Sequence, residues 1–354
     1  MHEQREKITV DFYSEKDIDD YNRFILNRPD STIYHTIEWK NVLEKNFRCS
    51  SFYLLSRDSE DKICAILPLF LVNNVYGKRL DSLPNSCYGG AVGDWDCVEP
   101  LLERAMELKN ELKCKLLVIK QDPVKLGNFF GDFGMSCYRN WWRQIIEVKD
   151  PENMWNGIKK TNRTNIRKAK MNNLSVEMVK NEDGLKEFYQ LELLNYKHLG
   201  FAPFSFEFFL YLWKQMRPKG YVEVFIARHD ERAIASSLNF IFSNIVFSTY
   251  GGWDISKKCF KPNSFLDWNL LLWCYKKGYQ YFDFGVTSID NKGLFLYKSS
   301  FDTINTPYTS YFFPKDTHYF YNQNYLVKIG RRVLKKTPSC ISKKLGMFLY
   351  KNFV

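Results

Sequence analysis

Two stretches of this chain follow one rule, and together they limit what it can fold into. Residues 51–57 are an apolar, β-prone run, residues 58–62 are charged, and residues 63–70 are apolar again. About 170 residues later the pattern recurs: 221–228 apolar, His229-Asp-Glu-Arg232 charged, 233–240 apolar. Two β-prone runs around a short polar turn read as a β-hairpin. Its recurrence points to a duplicated domain, and 354 residues leave room for two domains with their own cores.

Around the second hairpin the order of elements is legible. Residues 153–171 read as one basic helix. Residues 182–198 read as a helix with an apolar stripe at Leu185, Phe188, Leu191, Leu194 and Leu199. Residues 204–216 read as another helix. After the hairpin come a strand at 245–252, a helix that Pro262, Asn263 and Ser264 open and Gly278 closes, and strands at 281–284 and 308–313. In the first half, 38–45 and 99–112 read as helices and 115–120 as a strand. Helices and strands alternate, so an α/β fold with a mixed sheet is expected. The expected divisions are 1–150, 151–313 and a tail, 314–354.

Charge and composition narrow the class. Hydrophobic residues make up 45% of the chain, which excludes a disordered protein. The net charge of +11 suits a polyanion, a nucleotide-linked substrate or an anionic membrane surface. The nine Cys are scattered with no C-x-x-C pair, so neither a metal centre nor a redox pair is expected, and a reducing cytoplasm is. The polar, acid-containing residues 1–7 do not read as a signal peptide. Apolar runs such as 66–72 are too short to span a bilayer.

Two segments concentrate positive charge. Residues 159–170 carry six basic residues and no acid, with Arg163, Arg167 and Lys170 on one helical face. Beyond Asp316 there is no acid and there are eight Lys or Arg. Leu326, Ile329, Val333 and Leu334, then Leu345, Phe348 and Leu349, space out as two short amphipathic helices broken at Pro338. Their apolar faces are expected to pack on the first domain. The basic side is left for peripheral contact with an anionic membrane at its inner face.

The segment Tyr281–Lys298 carries the chemistry. An aromatic strand ends at Gly285, a polar turn follows, and Tyr297-Lys298 arrives in an apolar setting. Phe282-Asp-Phe-Gly285, Gly293-Leu294 and Tyr297-Lys298 resemble the signature of the FemABX-type (peptidoglycan bridge-forming) branch of the GNAT acyltransferases, including its BioF2-like acetyltransferase domain. In that signature Phe stands where this chain has Tyr297. Other blocks resemble the family in order. They are residues 34–39 ending in Trp39, Leu83-Pro84 with Cys87-Tyr-Gly-Gly90, Arg163 to Arg167-Lys-Ala169, Gly251-Gly-Trp253, Pro262-Asn263, and Trp268.

The resemblance implies two tandem GNAT-like domains with a cleft between or beside them. It implies an N-acyltransferase whose acceptor is an amine on a cell-envelope precursor, nucleotide- or lipid-linked, such as a peptidoglycan peptide or an amino sugar. Lys298, beside Tyr297, is then the cation facing the oxyanion. Asp94 and Tyr250 are candidate bases, with Asp283 a weaker third. Trp39, Tyr88, Arg163, Arg167 and Asp283 are candidate substrate contacts. Coenzyme A-dependent GNAT enzymes hold pyrophosphate on a Gly-rich loop, whereas residues 253–263 contain no G-x-G. Lys257, Lys258, Lys261 and Asn263 are the candidate phosphate contacts there. The donor is therefore aminoacyl-tRNA, with tRNA as a partner, or acyl-CoA, and no tightly bound cofactor is implied. The alternative from a different class is a non-catalytic module binding a nucleotide-sugar or lipid-linked glycan. These patterns leave the oligomeric state open.

Overall fold

The computed structural model describes residues 8–74, 77–121, 131, 134–313, 330–338, 341–342 and 346. They form a mixed α/β fold that divides into two compact units. Of the described residues, the first holds those up to 139 and 308–313; the second holds 140–307 and those between 330 and 346.

In the first unit both expected strands of the early hairpin form, Cys49–Arg57 and Ile63–Asn74. Asp58 shapes the turn, its Oδ1 accepting from the Glu60 and Lys62 N–H groups at 2.9 Å each. Thr9–Phe12 joins one side of the hairpin and Gly77–Asp81 the other, both antiparallel. Leu116–Gln121 then pairs parallel with Gly77–Asp81. The helix Trp95–Glu111 packs Val98, Leu101, Leu102 and Ala105 into the core under this sheet. Residues 309–313, expected in the second domain, pair antiparallel with Leu116–Gln121 and belong to the first unit.

In the second unit the hairpin is Val222–His229 with Arg232–Phe242. Asp230 and Glu231 both have positive φ, 46° and 59°. A two-residue turn of that kind matches the twist of the flanking strands. Ile245–Trp253 follows antiparallel, and Ser175–Met178 lies on the hairpin's other edge. Tyr281–Ser288 runs parallel to Ile245–Trp253 and antiparallel to Ser136–Glu147.

Four details differ from the sequence expectations. The basic segment is two helices, Pro151–Gly157 and Lys160–Met171. The chain breaks at Gly157, where a Cβ would lie 2.6 Å from the Asp302 carboxylate. The helix Glu182–Leu199 is rotated from its expected stripe: Leu194 and Leu199 are exposed, whereas Glu192 is buried. The helix Pro262–Lys277 is entered through Lys261, in the left-handed region at φ 59°, so Asn263 lies inside its first turn and not at the cap. The tail's described residues fall in the second unit, with the Arg331 guanidinium 4.2 Å over the Phe201 ring and its carbonyl close to Gly200. Gly200, at φ 75°, admits that approach because a Cβ would stand 2.4 Å from the carbonyl oxygen. Leu326, Ile329, Leu345, Phe348 and Leu349 lie outside the described residues.

Candidate active site

The site is built where two strands part. Ile245–Trp253 and Tyr281–Ser288 are paired only over Ile245–Phe247 with Tyr281–Asp283, yet both continue for several residues. Each is irregular just past that point. Strand Ile245–Trp253 is bulged at Thr249, and the other shifts register between Asp283 and Val286. Gly285 makes the shift possible, with φ 70°.

Asp283 fixes this corner. It is fully buried, accepts from Arg143 Nε at 2.9 Å through Oδ2 and from the Gly285 N–H at 2.7 Å through Oδ1. A buried, paired carboxylate of this kind is an anchor for the backbone. Its inward position makes it a structural partner of Gly285 in the described structure.

The chain then turns into the helix Lys292–Ser299, capped by Asn291 Oδ1 accepting from the Leu294 N–H at 3.1 Å. Tyr297 and Lys298 therefore stand on a helix. Lys298 is buried, and its Nζ donates to the carbonyls of Gly285 at 3.3 Å and Val286 at 3.4 Å. Its ammonium thus lies on the parted strand, just beyond the last paired residue. Gln144 ties the helix in place. Its Nε2 donates to Phe295 O (3.1 Å), Ser299 Oγ (3.0 Å) and Asn305 Oδ1 (2.9 Å), and its Oε1 accepts from Thr287 Oγ1 at 2.9 Å.

Beside Lys298, the Tyr297 hydroxyl donates to Asp267 Oδ2 at 2.5 Å. Burial pushes the Asp267 carboxyl up to about 6, against the hydrogen bond from Tyr297 and the charge of Lys298, which both pull it down. Burial, then Asp267, hold the Tyr297 hydroxyl well above its ordinary range. Asp267 and its neighbour Ser264, which also bonds Tyr297, come from the helix Pro262–Lys277. Neither was among the candidates from sequence. The only cue was an acid beside Trp268, on a face that also reads as solvated.

Trp268 leads to the basic helix. Its ring lies 5.1 Å from Trp155, and the Arg167 guanidinium lies 5.3 Å over Trp155. The Lys159 N–H donates to Ser300 O at 2.9 Å, so this helix starts against the end of Lys292–Ser299. Arg167 thus stacks on one end of that aromatic pair; Arg163, half-buried, sits one turn earlier. Lys257 and Lys258 lie in the short helix Ile255–Phe260, and Lys261 with Asn263 at the next helix start, forming one basic corner.

The remaining candidates sit in other surroundings. Tyr250 packs against Phe204, Phe208, Phe209 and Phe240, with centroids 5.3 to 6.3 Å away. That suits packing better than proton transfer. In the first unit Trp39 is fully buried and donates its indole N–H to Ser86 Oγ at 2.8 Å. Tyr88 is buried against Tyr34 and Tyr308. Asp94 precedes the helix Trp95–Glu111, exposed and paired with Arg28 at 3.0 Å. A cavity of about 330 Å³ in this unit, walled by Phe12, Tyr13, Phe52 and Tyr53, includes none of these candidates. Among the described residues no cluster of His, Cys, Asp or Glu has metal-binding geometry, and no helix is long and apolar enough to cross a membrane.

Residues 157–299, which contain most of this arrangement, including Asp267, Asp283, Tyr297 and Lys298, match the model of the acetyltransferase (GNAT) domain family. That match lies within the second unit. The fold as a whole is FemX-like: the chain is similar to the crystal structure of FemX with a TM-score of 0.69 at 13% identity, covering 89% of this chain and 99% of that one. It is similar to the C-terminal domain of a putative lysylphosphatidylglycerol synthetase from Agrobacterium fabrum, with TM-score 0.59, 13% identity and coverage of 90% and 96%. It is also similar to a tandem GNAT protein from the clavulanic acid biosynthesis pathway, with TM-score 0.57, 12% identity and coverage of 88% and 100%. No curated protein sequence matches the chain.

Proposed function

We propose that the protein is an N-acyltransferase that moves an acyl or aminoacyl group onto the amine of a cell-envelope precursor. The observation that carries this reading is the buried Lys298 ammonium, 3.3 and 3.4 Å from two carbonyls of the parted strand and beside the Tyr297–Asp267 pair. Amide formation creates a C–N bond and a tetrahedral oxyanion, then breaks the C–S or C–O bond of the activated acyl group. A fixed cation in a water-poor site stabilises that oxyanion in the transition state. Asp267 is ionised above about pH 6 and holds the Tyr297 hydroxyl. The amine proton passes to the Tyr297 oxygen as the Tyr297 proton passes to Asp267, and the leaving sulfur or oxygen takes up a proton in turn.

The basic corner of Lys257, Lys258, Lys261 and Asn263 opens the helix Pro262–Lys277, and a helix start favours a phosphate of the donor, acyl-CoA or aminoacyl-tRNA. Arg163 and Arg167 extend the positive surface. The envelope acceptor is supported by the similarity to FemX and to a lysylphosphatidylglycerol synthetase domain. Exposed Val333 and Ile341 beside Arg332, Lys335 and Lys336 suit peripheral contact of a cytoplasmic protein with anionic lipid. Liposome flotation tests that contact: the full chain should float with anionic vesicles and stay soluble with neutral ones.

Turnover tests the main reading. Purified protein is given acetyl-CoA or an aminoacyl-tRNA together with amine-bearing peptidoglycan and aminosugar precursors. Amide product with one donor supports transfer. Tight binding of an acceptor without turnover of any donor would make the protein a binding module.

A further inference from the structure

The first unit holds a cavity that the acyl-transfer reading leaves unused. Its walls come from distant parts of the chain. The edge strand Thr9–Phe12 pairs with Cys49–Arg57, and the next residue, Tyr13, donates its N–H to Tyr53 O at 2.8 Å. That pairing brings Phe12 beside Phe52 and Tyr13 beside Tyr53, with ring centroids 6.3 Å apart in each pair. The turn Glu15–Asp17 adds Glu15, and the helix Ile37–Asn46 adds Lys40. The space they enclose is about 330 Å³, enough for a small molecule. Trp39, Tyr88 and Asp94 do not line it.

Two features of this cavity ask for a ligand. The first is hydrogen bonding. The Tyr13 and Tyr53 hydroxyls are buried with no hydrogen-bond partner among the described residues, and Tyr53 is 3% exposed. A buried hydroxyl left unpaired is costly.

The second feature is the sign of the charge. Lys40 is already held: its Nζ donates to Glu44 Oε2 at 3.1 Å, and Glu44 Oε1 accepts from the Ser51 N–H at 3.2 Å and from Ser51 Oγ at 2.6 Å. An anion would have to compete with that carboxylate. Burial, then the negative charges of Glu15, Asp17 and Glu38, push the Tyr13 hydroxyl up to about 12. Asp17 is bridged to Arg57 at 2.8 Å, which leaves Glu15, exposed and lining the cavity, as the carboxylate placed to meet a ligand. Aromatic rings with a carboxylate beside them attract a cation and repel an anion. Phe12 already takes one cation, the Arg104 guanidinium 5.4 Å from its ring centroid.

We infer that this cavity is a binding site for a small organic ammonium ion, its apolar stem between the Phe12–Phe52 and Tyr13–Tyr53 pairs and its nitrogen toward the Tyr13 hydroxyl and the Glu15 carboxylate. A primary alkylammonium fits better than a quaternary one, because it brings N–H donors to an oxygen that lacks them. The inference concerns binding within the first unit and does not depend on acyl transfer.

The test is ligand-observed NMR titration of the full chain with n-butylammonium, with butyrate and tetramethylammonium as comparison probes. n-Butylammonium should saturate, tetramethylammonium should bind more weakly, and butyrate should not bind. Glu15→Gln should weaken n-butylammonium about fivefold and flatten its dependence on ionic strength. Tyr13→Phe keeps the ring and removes the hydroxyl, and should weaken it roughly tenfold, the scale of one lost hydrogen bond. Thermal melts of both variants should match the parent, because neither change opens a cavity. Butyrate binding as tightly as n-butylammonium would overturn the inference and make this an anion site at Lys40. n-Butylammonium binding unchanged in both folded variants would place the amine elsewhere and overturn it too, as would no saturable binding to the parent. These results are read with no acyl donor present, so they stand apart from any failure of turnover.

Discussion

The Tyr297 hydroxyl donates to Asp267 at 2.5 Å, joining two helices through residues 30 positions apart, next to the buried Lys298 ammonium. This pair gives the proposed chemistry a proton acceptor that no sequence block marks. It also makes the rate depend on pH in a definite direction.

Asp267 must be ionised to take a proton, and burial sets its value at about 6. The kcat/KM profile should therefore rise with pH through about 6 in the wild type. Asp267→Asn should lose that limb and lower kcat on the order of 10²-fold. The stability effect runs the other way. The folded state holds this proton more tightly than the unfolded chain does, so its stabilising contribution is complete below the ordinary carboxylate value and is lost as pH rises through about 6. Asp267→Asn should flatten that loss in a denaturation series. An unchanged acidic limb in the variant would remove Asp267 from the proton path.

Glu192 gives a second, independent pH signature. Burial raises it to about 8, against the hydrogen bond from Gly251. Stability should fall as pH rises from about 4.5 to 8, by up to a few kcal/mol. Glu192→Gln should erase most of that slope. Urea melts of the two proteins across this range check it, and parallel curves would place the Glu192 proton elsewhere.

Gln144 bonds to the helix carrying Lys298 and to Thr287 at once. Gln144→Leu should cost about 1–3 kcal/mol, because the polar groups it serves are left without it. It should also lower kcat, since the helix can then shift relative to the parted strand. Thermal denaturation with kinetics on the same sample separates the two effects. Full activity in a destabilised protein would limit Gln144 to a folding role.

The second hairpin was legible because two apolar runs flank a short charged turn, in which Asp230 and Glu231 take positive φ. Lys298 was legible because the Phe282-Asp-Phe-Gly285 block precedes it at a telling spacing. Asp267, Gln144 and Glu192 were not. Gln144 meets Thr287 across 143 positions, and nothing local in a strand reveals such a partner. Glu192 follows Leu191 in a helix whose apolar spacing pointed to Leu194; in the structure the acid is buried and Leu194 is exposed. Asp283 read either way from alternation; it is buried and paired with Arg143. Residues 309–313 looked like part of the second domain because they follow it in sequence, but their partner, Leu116–Gln121, lies in the first unit. Periodicity finds faces, whereas long-range polar pairs select which residue a face turns inward.

The basic corner allows a charge test. Replacing Lys257, Lys258 and Lys261 by Ala should weaken donor binding and flatten its dependence on ionic strength, because screening then has fewer charges to act on. Titrations at about 50 and 300 mM salt suffice. Identical salt dependence in the triple variant would leave these lysines as ordinary surface groups.

The central claim is that the Lys298 charge stabilises the oxyanion. The most direct measurement is single-turnover and steady-state kinetics of Lys298→Met beside the parent, with thermal melts of both. Met retains most of the stem and removes the charge. The account predicts kcat lower by on the order of 10²–10³, with acceptor binding and melting temperature nearly unchanged. Lys298→Arg should not restore the rate, because a planar guanidinium does not reproduce a compact ammonium. A Lys298→Met protein that folds and turns over at the parent rate would contradict the account.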